Sequence, residues 1–232
     1  MALGTGKRIV VVAVVAAVVA AGLGYWGYHT YKLGVFRSAV AGLLQAASGQ
    51  MREALGAEAG PAPADRLQLA KKLDEHGAAI DALVVQLKSK RMELERDTRL
   101  TDAADDYLLT CREMLRRRAA SQRAYALLSD SMEALRDQVR AAGTDRSANW
   151  PSETLRARAR AERDFRDYRN TSAAYATLLG QFPTSQKKIA PYVDPAALID
   201  DKLVGAARER SLATAKQLSG EMEKLRQLHP GR

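Results

Sequence analysis

Hydrophobic positions divide the chain into one continuous apolar run and a long periodic remainder. Residues 9–24 are apolar without interruption, and Tyr25, Trp26 and Tyr28 follow directly. Residues 9–28 make a stretch close to the ~20 residues a helix needs to cross a hydrocarbon core of ~30 Å. The aromatic group stands where an interfacial belt belongs, and Lys32 begins the watery side. The pattern predicts a retained signal anchor: a short tail at 1–8, a transmembrane helix at 9–28 and a helical bundle domain over 29–232. The competing reading is a cleaved signal peptide, with Lys7 and Arg8 as its positive start and the small residues of 18–22 as its cleavage site. The run exceeds the ~7–15 residues of a signal core and continues into aromatics, which favours retention. A short basic tail stays inside, so the bundle is expected outside. That places it in the bacterial periplasm, anchored in the inner membrane. Ala16, Ala20 and Gly24 share a helix face, but any alanine-rich span contains such a spacing.

Beyond the membrane the apolar period is that of a helix throughout, with no alternating strand pattern. Phe36, Val40, Leu43, Leu44, Ala47, Met51 and Leu55 continue the first helix to about Gly56. The prolines of the 60–65 stretch then break it. Leu69, Leu73, His76, Ile80, Leu83, Leu87, Lys90 and Leu94 alternate in spacings of four and three, the seam of coiled-coil packing. A second such seam runs from Leu100 through Tyr107, Cys111, Met114, Arg118, Ser121 and Leu128 to Val139 and Ala142. The two are out of phase, because Leu94 and Leu100 stand six apart. No glycine or proline lies between them, so the reading leans to one long helix with an irregularity, with Thr98 or Thr101 as caps if it breaks. Gly143 ends that helix, and Asn149 or Ser152 is placed to cap the next. The next helix carries Phe165, Tyr168, Ser172, Tyr175, Leu179 and Phe182 on one face and is expected to close at Pro183. Asp194 and Pro195 read as the start of a last helix, with Ala215, Leu218, Met222 and Leu225 on its seam, running to about Leu228. The expected fold class is all-α: a transmembrane helix followed by an elongated antiparallel bundle.

Composition narrows this without changing it. The chain has 232 residues, a net charge of +9 and a single cysteine, so no intramolecular disulfide staples it. The basic balance suits anionic lipid, an acidic protein or nucleic acid without choosing among them. Arg156, Arg160 and Arg163 form a basic stripe that would suit an anionic surface, and Arg116, Arg117 and Arg118 form a second cluster. Glu162, Asp164 and Asp167 are interleaved with the stripe at ion-pairing distance along a helix.

Catalytic signals are missing from the pattern. His29, His76 and His229 have no ligand partner on their own helix faces. The acidic pairs Asp105/Asp106 and Asp200/Asp201 point about 100° apart on a helix and make no dyad. Cys111 on its seam reads as a small buried apolar group. No catalytic residue, metal site or cofactor is expected, and the chain does not read as an enzyme. The architecture resembles the helical sensor domain of bacterial chemoreceptors and the coiled-coil hairpin of export-pump adaptors. It has neither a second apolar span nor strand-rich domains, so no residue role is carried over. The leading expectation is a membrane-anchored structural or protein-interaction scaffold whose partners are the bilayer and a protein. A ligand-sensing bundle signalling through a partner is the alternative. Nucleic acid is not expected, and a homo-oligomer remains open.

Overall fold

The computed structural model describes residues 5–60, 62–92, 97–141 and 150–227; side chains before Val18 and those of residues 150 and 151 lie outside that description. Among the described residues the fold is helical, with no strand. Five helices follow one another: α1 (Thr5–Gly56), α2 (Pro63–Lys90), α3 (Thr98–Ala141), α4 (Trp150–Ile189) and α5 (Asp201–Gln227). Two 3-10 turns, Ala190–Tyr192 and Pro195–Ala197, link α4 to α5.

The helix α1 has 52 residues and does not break between the expected span and the bundle. At ~1.5 Å per residue it is roughly 78 Å long. It joins the core at Phe36, and Val40, Leu44, Ala47, Met51 and Leu55 follow one above the other at near-zero exposure. Most described side chains before that point are exposed, with His29 and Leu33 partly buried. Val18, Val19, Leu23, Tyr25, Trp26 and Tyr28 are exposed, and so are Tyr31 and Val35. Among the described residues no helix is long and apolar enough to cross a membrane. The expected span at 9–28 lies partly outside them, since its side chains are described only from Val18.

The expectation of one long helix over 66–142 is corrected: α2 and α3 are separate and antiparallel. Ion pairs along their flank fix the direction. Asp74 meets Arg123, Asp81 meets Arg112 at 3.2 Å, and Arg91 meets Asp105 at 3.3 Å, so positions rise on one helix as they fall on the other. Asp97 starts α3. Its carboxylate accepts from the Leu100 backbone N–H at 3.1 Å, and its carbonyl accepts from Thr101 N–H at 3.0 Å. The cap is therefore Asp97, where the sequence pointed to Thr98 or Thr101. Arg37 of α1 donates to the same carboxylate at 2.8 Å and ties the α3 start to the first helix. Burial works against the ionised form of Asp97. The Leu100 N–H and the Arg37 guanidinium outweigh it and hold the carboxyl below its usual range.

The seam of α3 is buried from Leu100 to Leu135, apart from half-buried Tyr125. Leu108, Leu115 and Ala119 are buried beside it. The stripe is wider than a two-helix seam because α2 packs on one side of α3 and α4 on the other. On α2 the strict seam is right at Leu69, Leu73, Ile80 and Leu87. Val84, absent from it, is buried, while Leu83 is only partly so.

A second correction concerns Pro183. The helix α4 continues through it to Ile189. Phe182 and Ile189, on either side of the proline, are fully buried, and the Phe182 ring packs 5.6 Å from that of Tyr107. Burial of two large side chains offsets the one helical hydrogen bond that proline removes. Asp194 caps as expected, its carboxylate accepting from Ala196 N–H at 2.8 Å, but it starts only a 3-10 turn. Asp200 caps α5 itself, accepting from Lys202 N–H at 2.9 Å. Between the two, the buried Gln186 amide bonds both N–H and C=O of Ile199 at 2.8 Å. Asn149 and Gly143 lie outside the described residues, and Ser152 falls within the first turn of α4.

Two apolar cores result. One is built mainly from α1, α2, α3 and the C-terminal half of α4. The other contains Leu128, Met132 and Leu135 of α3, Phe165 and Tyr168 of α4, and Leu218 and Met222 of α5. The molecule is a four-helix bundle that hands over to a three-helix bundle where the α1–α2 hairpin ends.

Candidate functional site

The handover leaves a cavity. Seen from α3, the neighbours change there from α1 and α2 to α5, and apolar side chains of neither core fill the gap. A space of about 310 Å³ remains, lined from α2, α3, α4 and α5 and from the α1–α2 turn. Its charged walls are Arg66, Arg118 and Arg210, against the single carboxylate of Glu58. Tyr125, Tyr168 and Tyr175 supply aromatic walls, and Ser121, Gln122 and Ser211 add polar ones.

Arg118 stands on the α3 seam, 9% exposed. The last carbonyls of a helix have no partner within it. Arg118 reaches across to one of them, Ala54 O, and at 2.5 Å to Ala57 O just past the end of α1. Arg210 of α5 donates to Leu55 O at 3.0 Å and pairs with Glu58. The negative end of the α1 dipole and two guanidinium groups thus satisfy one another. The Arg118 guanidinium also lies 6.0 Å from the centroid of the Tyr175 ring. Burial lowers the pKa of Arg118 below the usual arginine value, and the like charges of Arg210 and Arg66 act in the same direction.

Arg66, in the first turn of α2, lies over the Tyr125 ring with its guanidinium carbon 4.2 Å from the centroid. One of its nitrogens donates to Gln122 at 3.2 Å, while its Nε is buried without a hydrogen-bond partner among the described residues. Tyr175 is 5% exposed, and its hydroxyl is likewise buried and unpartnered. Burial raises the Tyr175 pKa, opposed by Arg118 and Arg210, so the group stays a neutral O–H donor. The cavity therefore concentrates positive charge and holds two donors without a partner among the described residues.

Comparison with family models, with curated proteins and with solved structures finds no match for this chain. The geometry of its own side chains carries the functional argument.

The residues singled out from the sequence lie elsewhere. Arg156 is exposed near the start of α4. Arg160 and Arg163 are exposed and share one carboxylate, Asp164, at 3.7 and 3.3 Å. The interleaved acids thus draw two of the three arginines along the helix surface. The second cluster splits apart. Arg116 is exposed, Arg117 pairs with Glu113 at 2.6 Å, and Arg118 turns inward. Cys111 is fully buried, and burial pushes its thiol pKa up. His76 is half-buried, its Nδ1 2.6 Å from Gln50 Oε1. Asp105 and Asp106 diverge to Arg91 and Lys188. The cavity residues were not grouped by sequence reasoning, since Arg66, Arg118, Tyr175 and Arg210 come from four helices. The one available signal was a charged residue, Arg118, on a seam otherwise of uncharged groups.

Proposed function

We propose that this chain is a single-pass membrane-anchored helical bundle that serves as a structural or interaction scaffold, with its bundle on the periplasmic side. One observation supports the anchor above the rest. The helix that forms the first wall of the bundle extends away from it with Val18, Val19, Leu23, Tyr25, Trp26 and Tyr28 exposed. Each large apolar side chain taken out of water contributes about 1.5–3 kcal/mol, so an uncovered helix of this composition calls for an apolar surrounding. A helix meets the bilayer's demand that backbone groups pair internally, and the aromatic residues suit the headgroup level. Lys32, with its ammonium 5.5 Å from the Tyr28 ring, marks the change to water. Downstream, the bundle offers long helix faces of the kind read by protein partners, and a protein partner is the expected reader.

The test is membrane extraction together with intact-mass measurement of the native protein. The chain should resist alkaline carbonate, float with lipid and retain residues 7–32. Release by carbonate, or a mature chain starting near residue 21 or 22, would remove the anchor.

A further inference from the structure

The cavity at the handover carries an inference that stands apart from the anchor. We propose that it is a binding site for a small organic dianion, a dicarboxylate or a phosphomonoester, whose oxygens are met by Arg66 and Tyr175 and whose body lies against the tyrosine rings. Three arginines line the space and only Glu58 answers them, which leaves two positive charges uncompensated by the lining side chains. Arg118 and Arg210 are tethered to the end of α1. Arg66 Nε and Tyr175 Oη are the buried donors of this cavity that have no partner among the described residues. Tyr175, 5% exposed, is fixed in α4 at the edge of the first core. Buried donors left unpaired are rare in folded proteins and call for an acceptor.

Water alone answers this arrangement incompletely. A volume of 310 Å³ admits about ten waters at roughly 30 Å³ each, and they would accept hydrogen bonds. They would not neutralise the charge of Arg66 and Arg210, which stand half-buried at the cavity wall. An oxyanion does both, and guanidinium groups bind carboxylate and phosphate alike. The volume lies at the lower end of the ~300–1,000 Å³ of small-molecule sites, and Tyr125, Tyr168 and Tyr175 give an organic body an apolar contact. A dianion matches the charge excess.

The experiment is calorimetric titration of the full-length protein in detergent micelles. Ionic strength is held constant with sodium chloride. The probes are disodium phthalate, disodium phenyl phosphate and inorganic phosphate. Saturable binding is expected for phthalate or phenyl phosphate, and the preference between them tells a carboxylate ligand from a phosphate one. Tyr175→Phe keeps the packing and removes only the hydroxyl, so it should fold and weaken binding about tenfold. Arg66→Gln removes a charge that no buried carbonyl depends on and should weaken binding by tenfold or more. Circular dichroism establishes that both variants are folded. The proposal is overturned if no probe binds saturably up to about 10 mM, a weak-affinity ceiling worth under 3 kcal/mol. It is equally overturned if the folded variants bind as the parent does, which leaves an adventitious ion only.

Discussion

Replacing Arg118 by lysine should harm the fold more than replacing it by methionine. The guanidinium spans two carbonyls three positions apart, Ala54 O in the last turn of α1 and Ala57 O just past its end, with a separate nitrogen for each. Lysine keeps the buried charge but is a single point donor and cannot hold both. It loses one charge-assisted bond, about 1.5–3 kcal/mol, and still bears the cost of burying an ion. Methionine loses both bonds. It also abolishes the buried charge, and with it the cost of keeping an ion out of water, which offsets much of that loss. Water in the adjoining cavity can reach the released carbonyls. The balance is a loss of about 2 kcal/mol for Arg118→Lys and within about 1 kcal/mol of the parent for Arg118→Met. At about 2–4 °C per kcal/mol for a chain of this size, the lysine variant should melt roughly 4–8 °C lower. Thermal unfolding of the full-length protein in micelles, followed by far-ultraviolet circular dichroism, reads the difference. An unchanged melting temperature for Arg118→Lys would mean that the fork does not hold the end of α1. A methionine variant several degrees below the lysine one would mean that the charge itself is the stabilising element.

Two further outcomes follow from buried groups. Cys111 is fully buried with its thiol pKa pushed up, so maleimide should label it at least about 100-fold more slowly in folded than in unfolded protein, and mild oxidation should leave a monomer on a non-reducing gel; rapid covalent dimer formation in native membranes would place this seam between two copies instead. Asp97→Ala removes both the α3 cap and the partner of Arg37, at a cost of about 1–2 kcal/mol near neutral pH. Because the folded carboxyl titrates below its unfolded value near 3.8, the unfolded chain binds more protons in the window beneath that value. The Asp97 contribution is therefore complete above that window and is lost as pH falls through the folded pKa. The gap between the urea midpoints of parent and variant should hold from pH 7 down to the unfolded value near 3.8 and narrow as pH falls further, and an unchanged gap below that value would dissociate the stability from the titration.

Which features were legible in the sequence follows from what each signal measures. Burial periodicity located the core faces of α1, α3 and α4 almost residue by residue, because a helix that packs must repeat its apolar positions with the helical turn. It placed Arg118 on the seam for the same reason, though not what the residue does there. The break between α2 and α3 was less visible. No glycine or proline marks it, and its cap is one aspartate among many, fixed by an arginine 60 positions away. Pro183 misled in the opposite direction, since a local rule against proline yields to burial of Phe182 and Ile189. The cavity depends on which helix ends come together. Periodicity within one helix does not report that.

The grip of Arg210 on the end of α1 bears on the order in which the chain can assemble. Leu55 and Arg210 are 155 positions apart, whereas Arg91 and Asp102 across the α2–α3 turn are 11 apart. Drawing the distant pair together from an open chain costs about 2 kcal/mol more in loop entropy than closing the near one, by the logarithmic dependence on length. Hairpins α2–α3 and α3–α4, joined by short connections, shorten that loop before it has to close. The fifth helix is thus also the one that finishes the first. Until α5 emerges, the carbonyls at the end of α1 have only Arg118, and the apolar face of the α3–α4 hairpin that α5 covers stands open. A nascent chain stopped short of residue 201 would carry that open face and be prone to association, a liability that belongs to the route of assembly rather than to the finished bundle.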